Sequence, residues 1–393
     1  MRFLIVNTDY PEFLRWFYAA HPGLEREPFE LQARARAESL FCEADFYSSN
    51  LRKLGHEAWD IHTNNEFKQK AWARDNGVRI SDAGVRGLVE RGCRAVNRMP
   101  LAFLRPLLQL ILGDPRHPPS WVHQILAAQI RHYSPDVLYN LSMNSLDCDF
   151  LREVKGSGAG QVRLVVGQHA VAPLPNDSGL RVYDLVFSSS PPTVDDIRRR
   201  GIRAELLRLA FEPRVLSFLQ DRGRPLDITF VGSFYDMHSS RTALLETLCA
   251  RFPQMKVFGP TTDCLARSSP IRKRYAGQAW GRDMYQGLRD SKIAFNHHGN
   301  VPPFANNYRL YEVTGVGALL VTDWKENLRE MFEPGKEVVA YRTAEECIEQ
   351  IRYYLEHEAE RNAIARRGQD RTLRDHTFHN RMRELTRVLE KSL

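Results

Sequence analysis

A chain of 393 residues exceeds the usual size of a single compact core, so two domains are expected. With 43% hydrophobic and 26% charged residues it is globular, without low-complexity tracts or a repeat of solenoid length. The net charge of +7 suits anionic partners. The basic residues are scattered, however, and carry no nucleic-acid fingerprint, which excludes nucleic acid as the expected partner.

Residues 1–6 form a short apolar run followed at once by Asn7 and Asp9, which predicts a buried first strand rather than a signal peptide. Ala33 to Leu54 carries apolar residues near helical spacing, with Gly55 placed to end the helix. Ala58 to Ile61 reads as a second strand. Residues 84–121 mix Arg86, Arg91, Arg94, Arg98, Arg105 and Arg116 with the apolar run Leu101 to Leu112. Core helices with solvated arginines are the first reading there. A second lays the segment on an anionic membrane surface, where it recruits a lipid-linked acceptor. No stretch reaches transmembrane length. The six cysteines are far apart without a C-x-x-C pair, as expected of free thiols in a reducing cytoplasm.

Val137 to Leu141, Arg163 to Val166 and Leu185 to Ser188 read as further strands, with a helix over Ser145 to Val154 capped by Ser145 or Asp147. The pattern restarts at Asp227. Ile228 to Val231 is a strand ending in Gly232, Ser240 to Arg251 a helix, and Lys256 to Phe258 and Ile293 to Asn296 are strands. Asn307 to Val316 is a helix closed by Gly317, and Ala318 to Thr322 the next strand. The expected architecture is α/β, two doubly wound Rossmann-like domains facing across a cleft. The first spans 1–190, a linker 191–226, and the second 227–376, with a last helix over 377–393 packing back on the first. Ligands of such sheets bind at the carboxyl ends of the strands, so the loops after Val6, Val166, Val231 and Phe295 face the cleft.

Asn306 to Asp323 (NNYRLYEVTGVGALLVTD) carries the chemistry. A helix beginning at Asn306 or Asn307 would offer first-turn N–H groups to a diphosphate. Arg309 adds a fork for phosphate oxygens, and Glu312 stands where a carboxylate accepts both hydroxyls of a ribose. The bland reading is a capped helix with a surface glutamate. The surrounding sequence shifts the odds, because Asn307, Arg309, Tyr311, Glu312, Gly317 and Ala318 resemble the donor-binding half of the CgeB-like branch of GT-B glycosyltransferases. The resemblance continues through Phe332 to Val339 and Arg361 to His376. Upstream it takes in Asp227 to Arg241 (DITFVGSFYDMHSSR), and it covers about 180–390.

That resemblance implies sugar transfer from a nucleoside-diphosphate sugar, with UDP slightly favoured, to a glycan, lipid-linked or protein acceptor. It implies no metal and no cofactor. Glu312 would hold the donor ribose, Gly232 and Ser233 would approach the phosphates, and His238, Arg241 and Arg309 would supply cations. Gly281 would border the base, and His297 would touch the donor sugar or phosphate. Many retaining relatives carry a second glutamate eight residues before the ribose glutamate, where Phe304 stands here, so both stereochemical courses stay open. An inverting course needs a base, for which His169, after the strand ending at Val166, and Asp9, after the first strand, are the candidates. Asp147-Cys148-Asp149 spells a D-x-D metal clamp, but it falls at a helix start and the spelling is common by chance. A sugar-nucleotide epimerase of the same architecture and a non-catalytic nucleotide-sugar-binding protein are the competing functions.

Overall fold

The computed structural model describes residues 1–80, 120–156, 162–169, 174–234, 239–298 and 304–392. The segment 84–121, apart from its last two residues, and His238 lie outside them.

The first sheet has the order β2-β1-β3-β4-β5-β6, all parallel. Its strands are β1 Arg2–Asn7, β2 Glu57–His62, β3 Val137–Asn140, β4 Leu164–Gln168, β5 Leu185–Ser188 and β6 Ala204–Leu206. Helices α1 Pro11–Ala20, α2 Phe29–Glu38, α3 Phe46–Lys53, α4 Glu66–Asp75, α5 Ser120–Tyr133, α6 Cys148–Gly156, α7 Asp177–Leu180 and α8 Pro191–Arg199 connect or flank them. Alternation along β1 explains the two-sided cover. Phe3 and Ile5 pack with Tyr47 and Leu51 of α3, while Leu4 and Val6 pack with Leu126 and Ile130 of α5.

The second sheet has the order β12-β11-β10-β7-β8-β9, again parallel. It contains β7 Leu226–Val231, β8 Lys256–Phe258, β9 Tyr275–Gly277, β10 Ser291–Asn296, β11 Leu319–Asp323 and β12 Val339–Tyr341. Its helices are α9 Ser239–Arg251, α10 Pro270–Arg274, α11 Arg282–Arg289, α12 Arg309–Gly315, α13 Ala344–Glu356, α14 Glu358–Asp375 and α15 Phe378–Glu390. Gly317, at φ +78°, turns the chain from α12 into β11.

The last helix crosses to the first domain. Phe378, Met382, Leu385 and Leu389 form its buried stripe, and the Phe378 ring lies 5.2 Å from Phe46 and 5.4 Å from Tyr47 of α3. Beside it the outgoing chain pairs with the returning one. Phe211 N–H donates to His376 O, and Phe378 N–H donates to Phe211 O.

Two expectations are corrected. The single helix over 33–54 is broken into α2 and α3 by residues 39–45, in which Leu40, Cys42 and Ala44 all have positive φ. No glycine or proline announces that break. It is held by Arg36, whose guanidinium donates to Phe41 O and Ser39 Oγ. The expected linker 191–226 is the second correction, because its first part forms α8 and then β6, the edge strand of the first sheet. The Pro191-Pro192 pair starts a helix instead of an extended join, which suits proline at a helix's first positions.

Candidate functional site

The carboxyl ends of the two sheets meet through a chain of side-chain hydrogen bonds. Asn7, the last residue of β1, donates through Nδ2 to Glu43 Oε2 at 3.2 Å. Glu43 Oε1 accepts from the Tyr308 hydroxyl at 2.9 Å. Next along the chain, Asn307 Nδ2 donates to Oδ1 of Asn296, the last residue of β10, at 3.0 Å. Asn296 in turn donates to Thr322 of β11 at 3.0 Å.

The helix itself starts later than its sequence implies. Tyr308 occupies the N-cap without a side-chain cap bond, and α12 runs only from Arg309 to Gly315. Neither Asn306 nor Asn307 caps it, since Asn307 is committed to Asn296. So short a helix has a weak dipole, and the positive field of the site rests on arginines instead. Arg309 Nη1 lies 2.8 Å from Oε2 of Glu312, one turn further on, and the Glu312 residue is 7% exposed. Burial raises the Glu312 carboxyl above the ordinary range, Arg309 opposes the rise, and Glu43 adds to it. The Tyr285 hydroxyl of α11 also opposes the rise.

Arg241, in the first turn of α9, donates to Ser233 O at 2.6 Å. Burial lowers its guanidinium to about 10, the charge of Arg309 adds to the lowering, and Asp323 opposes it. Two guanidinium groups in each other's field within a half-buried site form a place for an anion. Arg241 Nε, Asn307 Oδ1 and His298 Nε2 are buried without a hydrogen-bond partner among the described residues. Polar atoms left this way fit a ligand that brings both acceptors and donors.

Beneath them lies a carboxylate that sequence reasoning did not single out. Asp323, the last residue of β11, accepts from the backbone N–H of His298 at 3.0 Å, and its Oδ1 lies 2.6 Å from His298 Nδ1. Lys325 Nζ stands 3.2 Å from its other oxygen. Burial would raise this carboxyl, but the hydrogen bond and charge of His298, with His297 and Lys325, hold it well below the usual range. His297 sits 3.0 Å from the Tyr341 hydroxyl, and burial lowers its ring, with Asp323 opposing. An aspartate closing an apolar strand was the available signal for this group.

The remaining expected residues fall differently. Gly232 ends β7 beside the site, but a Cβ there would meet the Phe230 ring, so packing already accounts for the glycine. Gly281 starts α11 at φ +50°, and a Cβ there would overlap the carbonyl oxygen of Ser39. It is therefore a domain-contact residue. Asp9 is corrected. Its Oδ1 accepts from Arg36 Nε at 3.0 Å and Nη2 at 2.6 Å, both side chains nearly inaccessible. Burial alone would raise the carboxyl, but Arg36, His62 and Lys68 hold it far below the usual range, which removes its basicity. His169 stands just beyond β4, with its N–H donating to Phe187 O at 2.9 Å, on the cleft edge of the first sheet. Of the D-x-D pair, Asp149 faces solvent with Arg152 and Asp147 faces His123 at 3.7 Å. Among the described residues no group of three His, Cys, Asp or Glu side chains is placed to hold a metal ion.

Residues 241–387 match the profile of a family described as glycosyl transferase-like. No curated protein matches. HepE of Anabaena, solved in complex with UDP and glucose, superposes over 100% of both chains with a TM-score of 0.56 at 11% identity. A glycosyltransferase from Rickettsia africae covers 99% of this chain and 98% of its own, with a TM-score of 0.58 at 10% identity. The lipopolysaccharide outer core galactosyltransferase WaaB covers 100% of both at 0.53 and 13%.

Two parallel sheets joined at their carboxyl ends, over a polar site built from both, define the GT-B architecture. With the matched domain in its second half, the chain is a glycosyltransferase of the GT-B type. Among the described residues no helix is long and apolar enough to cross a membrane.

Proposed function

We propose that this enzyme transfers a sugar from a nucleoside-diphosphate sugar, without a metal ion, to a glycan, lipid-linked or protein acceptor. The observation that carries the reading is the buried Arg309–Glu312 pair beside Arg241, with three polar atoms nearby lacking partners among the described residues. Glu312 takes the two ribose hydroxyls, and the two arginines take the diphosphate. The chemistry is departure of a nucleoside diphosphate from an anomeric carbon, where stabilising the growing charge on the leaving group is the main task. Fixed cations supply that stabilisation here. UDP is the favoured nucleotide, in keeping with the UDP and UDP-glucose held by HepE of Anabaena. Asn307 and His297 border the same space, and Ser233 lends it a carbonyl already bound to Arg241. On its sequence pattern we read the donor half as one of the CgeB-like branch.

The test is thermal denaturation with UDP, GDP, dTDP and CDP, each with and without chelator. One nucleotide should raise the melting temperature equally in both conditions, and Glu312→Ala should abolish the rise. An unchanged rise in that variant removes Glu312 from the site. If an inverting course holds, His169 is the base, and His169→Ala must lose turnover while retaining nucleotide binding. Full turnover in that variant ends its candidacy.

A further inference from the structure

The loop between α2 and α3 does more than join two helices. Three non-glycine residues within five, Leu40, Cys42 and Ala44, have φ of +58°, +48° and +42°. Each such conformation is strained for a residue with a Cβ and persists only where surrounding contacts impose it. Arg36, itself locked by Asp9, holds Phe41 O and Ser39 Oγ. Ser39 O accepts the backbone N–H of Arg282 at 3.1 Å, and Phe41 stacks on Phe13 while meeting Trp280 edge-on at 4.9 Å. The outcome is the position of one side chain, Glu43. It reaches out of the first domain and bridges Asn7 to Tyr308.

Tyr308 is the N-cap of α12, the helix that carries Arg309 and Glu312. Its ring lies 6.5 Å from Phe378, nearly parallel to it. We infer that Glu43 is a positioning residue for the donor site, fixing the start of α12 against β1 so that Arg309 and Glu312 are set before the nucleotide arrives. The inference rests on the proposed donor reading. It adds that donor affinity is set in part by a carboxylate of the opposite domain that never touches the donor.

The test is a double-mutant cycle on UDP affinity, measured by calorimetry with the full chain. Glu43→Ala and Tyr308→Phe should each weaken binding by about tenfold, the scale of one hydrogen bond to a charged group. The double variant should be no weaker than either single one. Glu43→Gln, which keeps an acceptor for the Tyr308 hydroxyl, should recover most of the loss. A merely structural Glu43 predicts lower melting temperatures with unchanged affinity, and that result overturns the inference. Fully additive losses overturn it too. Glu312→Ala measured alongside separates the two levels. If it binds UDP like the unmodified chain, the donor reading fails and the inference falls with it. If only the cycle fails, the donor site stands and Glu43 is removed from it.

Discussion

Arg309 Nη1 stands 2.8 Å from Glu312 Oε2, one turn away on a seven-residue helix, and the pair is nearly closed to solvent. A buried pair of this kind gives little net stability, since desolvation of both charges offsets their attraction. Its worth lies in what a third charged group gains there. Arg309→Lys keeps the charge but loses the planar fork, so nucleoside-diphosphate affinity should fall by about tenfold or more. Arg241→Ala should weaken the nucleotide more than the free nucleoside. Calorimetry with UDP and uridine separates the two, and equal losses for both ligands would take Arg241 away from the diphosphate.

Asp9 illustrates the opposite balance. Its carboxylate is paired with the Arg36 guanidinium at 2.6 Å, and both side chains are buried. Asp9→Asn leaves a buried guanidinium unpaired, and should cost about 3–5 kcal/mol of unfolding free energy. Denaturant titration measures it. A general base would behave otherwise, with turnover lost at near-normal stability.

Gly281 fixes the contact between domains. At φ +50° and pressed on the Ser39 carbonyl, it has no room for a methyl group. Gly281→Ala should lower stability by roughly 2 kcal/mol or more through combined backbone strain and overlap. A melting temperature equal to the unmodified chain's would contradict the packing described for residues 39–45.

Asp60, in the edge strand β2, gives a pH signature. Burial, with Asp45 adding, pushes its carboxyl up to about 7, while a hydrogen bond from Ser48 opposes the rise. The folded value lies above the unfolded one. Its contribution is therefore complete below the unfolded value near 4 and is lost as pH climbs through 7, by about 4 kcal/mol at most. Asp60→Asn should remove that slope. Its stability relative to the unmodified chain should grow between pH 4 and 7 and then level off. Parallel curves across that window would refute the assignment.

The strands were legible because buried parallel strands are uninterrupted apolar runs. Lys256–Phe258 and Leu185–Ser188 fall where the pattern put them, and the other strands read from it shift by a residue or two, while the short edge strands β6, β9 and β12 escaped it. Glu312 and Arg309 could be singled out together because they lie one turn apart on a single short segment. Glu43 and Asp323 were not, since each acquires its role from partners 265 and 25 residues away in the chain. The break at 39–45 was equally hidden. Its residues have no intrinsic preference for positive φ, and the conformation is imposed by Arg36 and by the domain packed above it.

Sequence alone determined that two parallel α/β sheets would form and where the segment proposed to bind the donor lies, because strand burial and helix ends are local properties. Only the tertiary structure decided which carboxylates serve as ion-pair partners, which glycine is a domain contact and which loop joins the two halves. Those outcomes depend on desolvation and on distances between residues far apart in the chain, and neither quantity exists until the chain has folded.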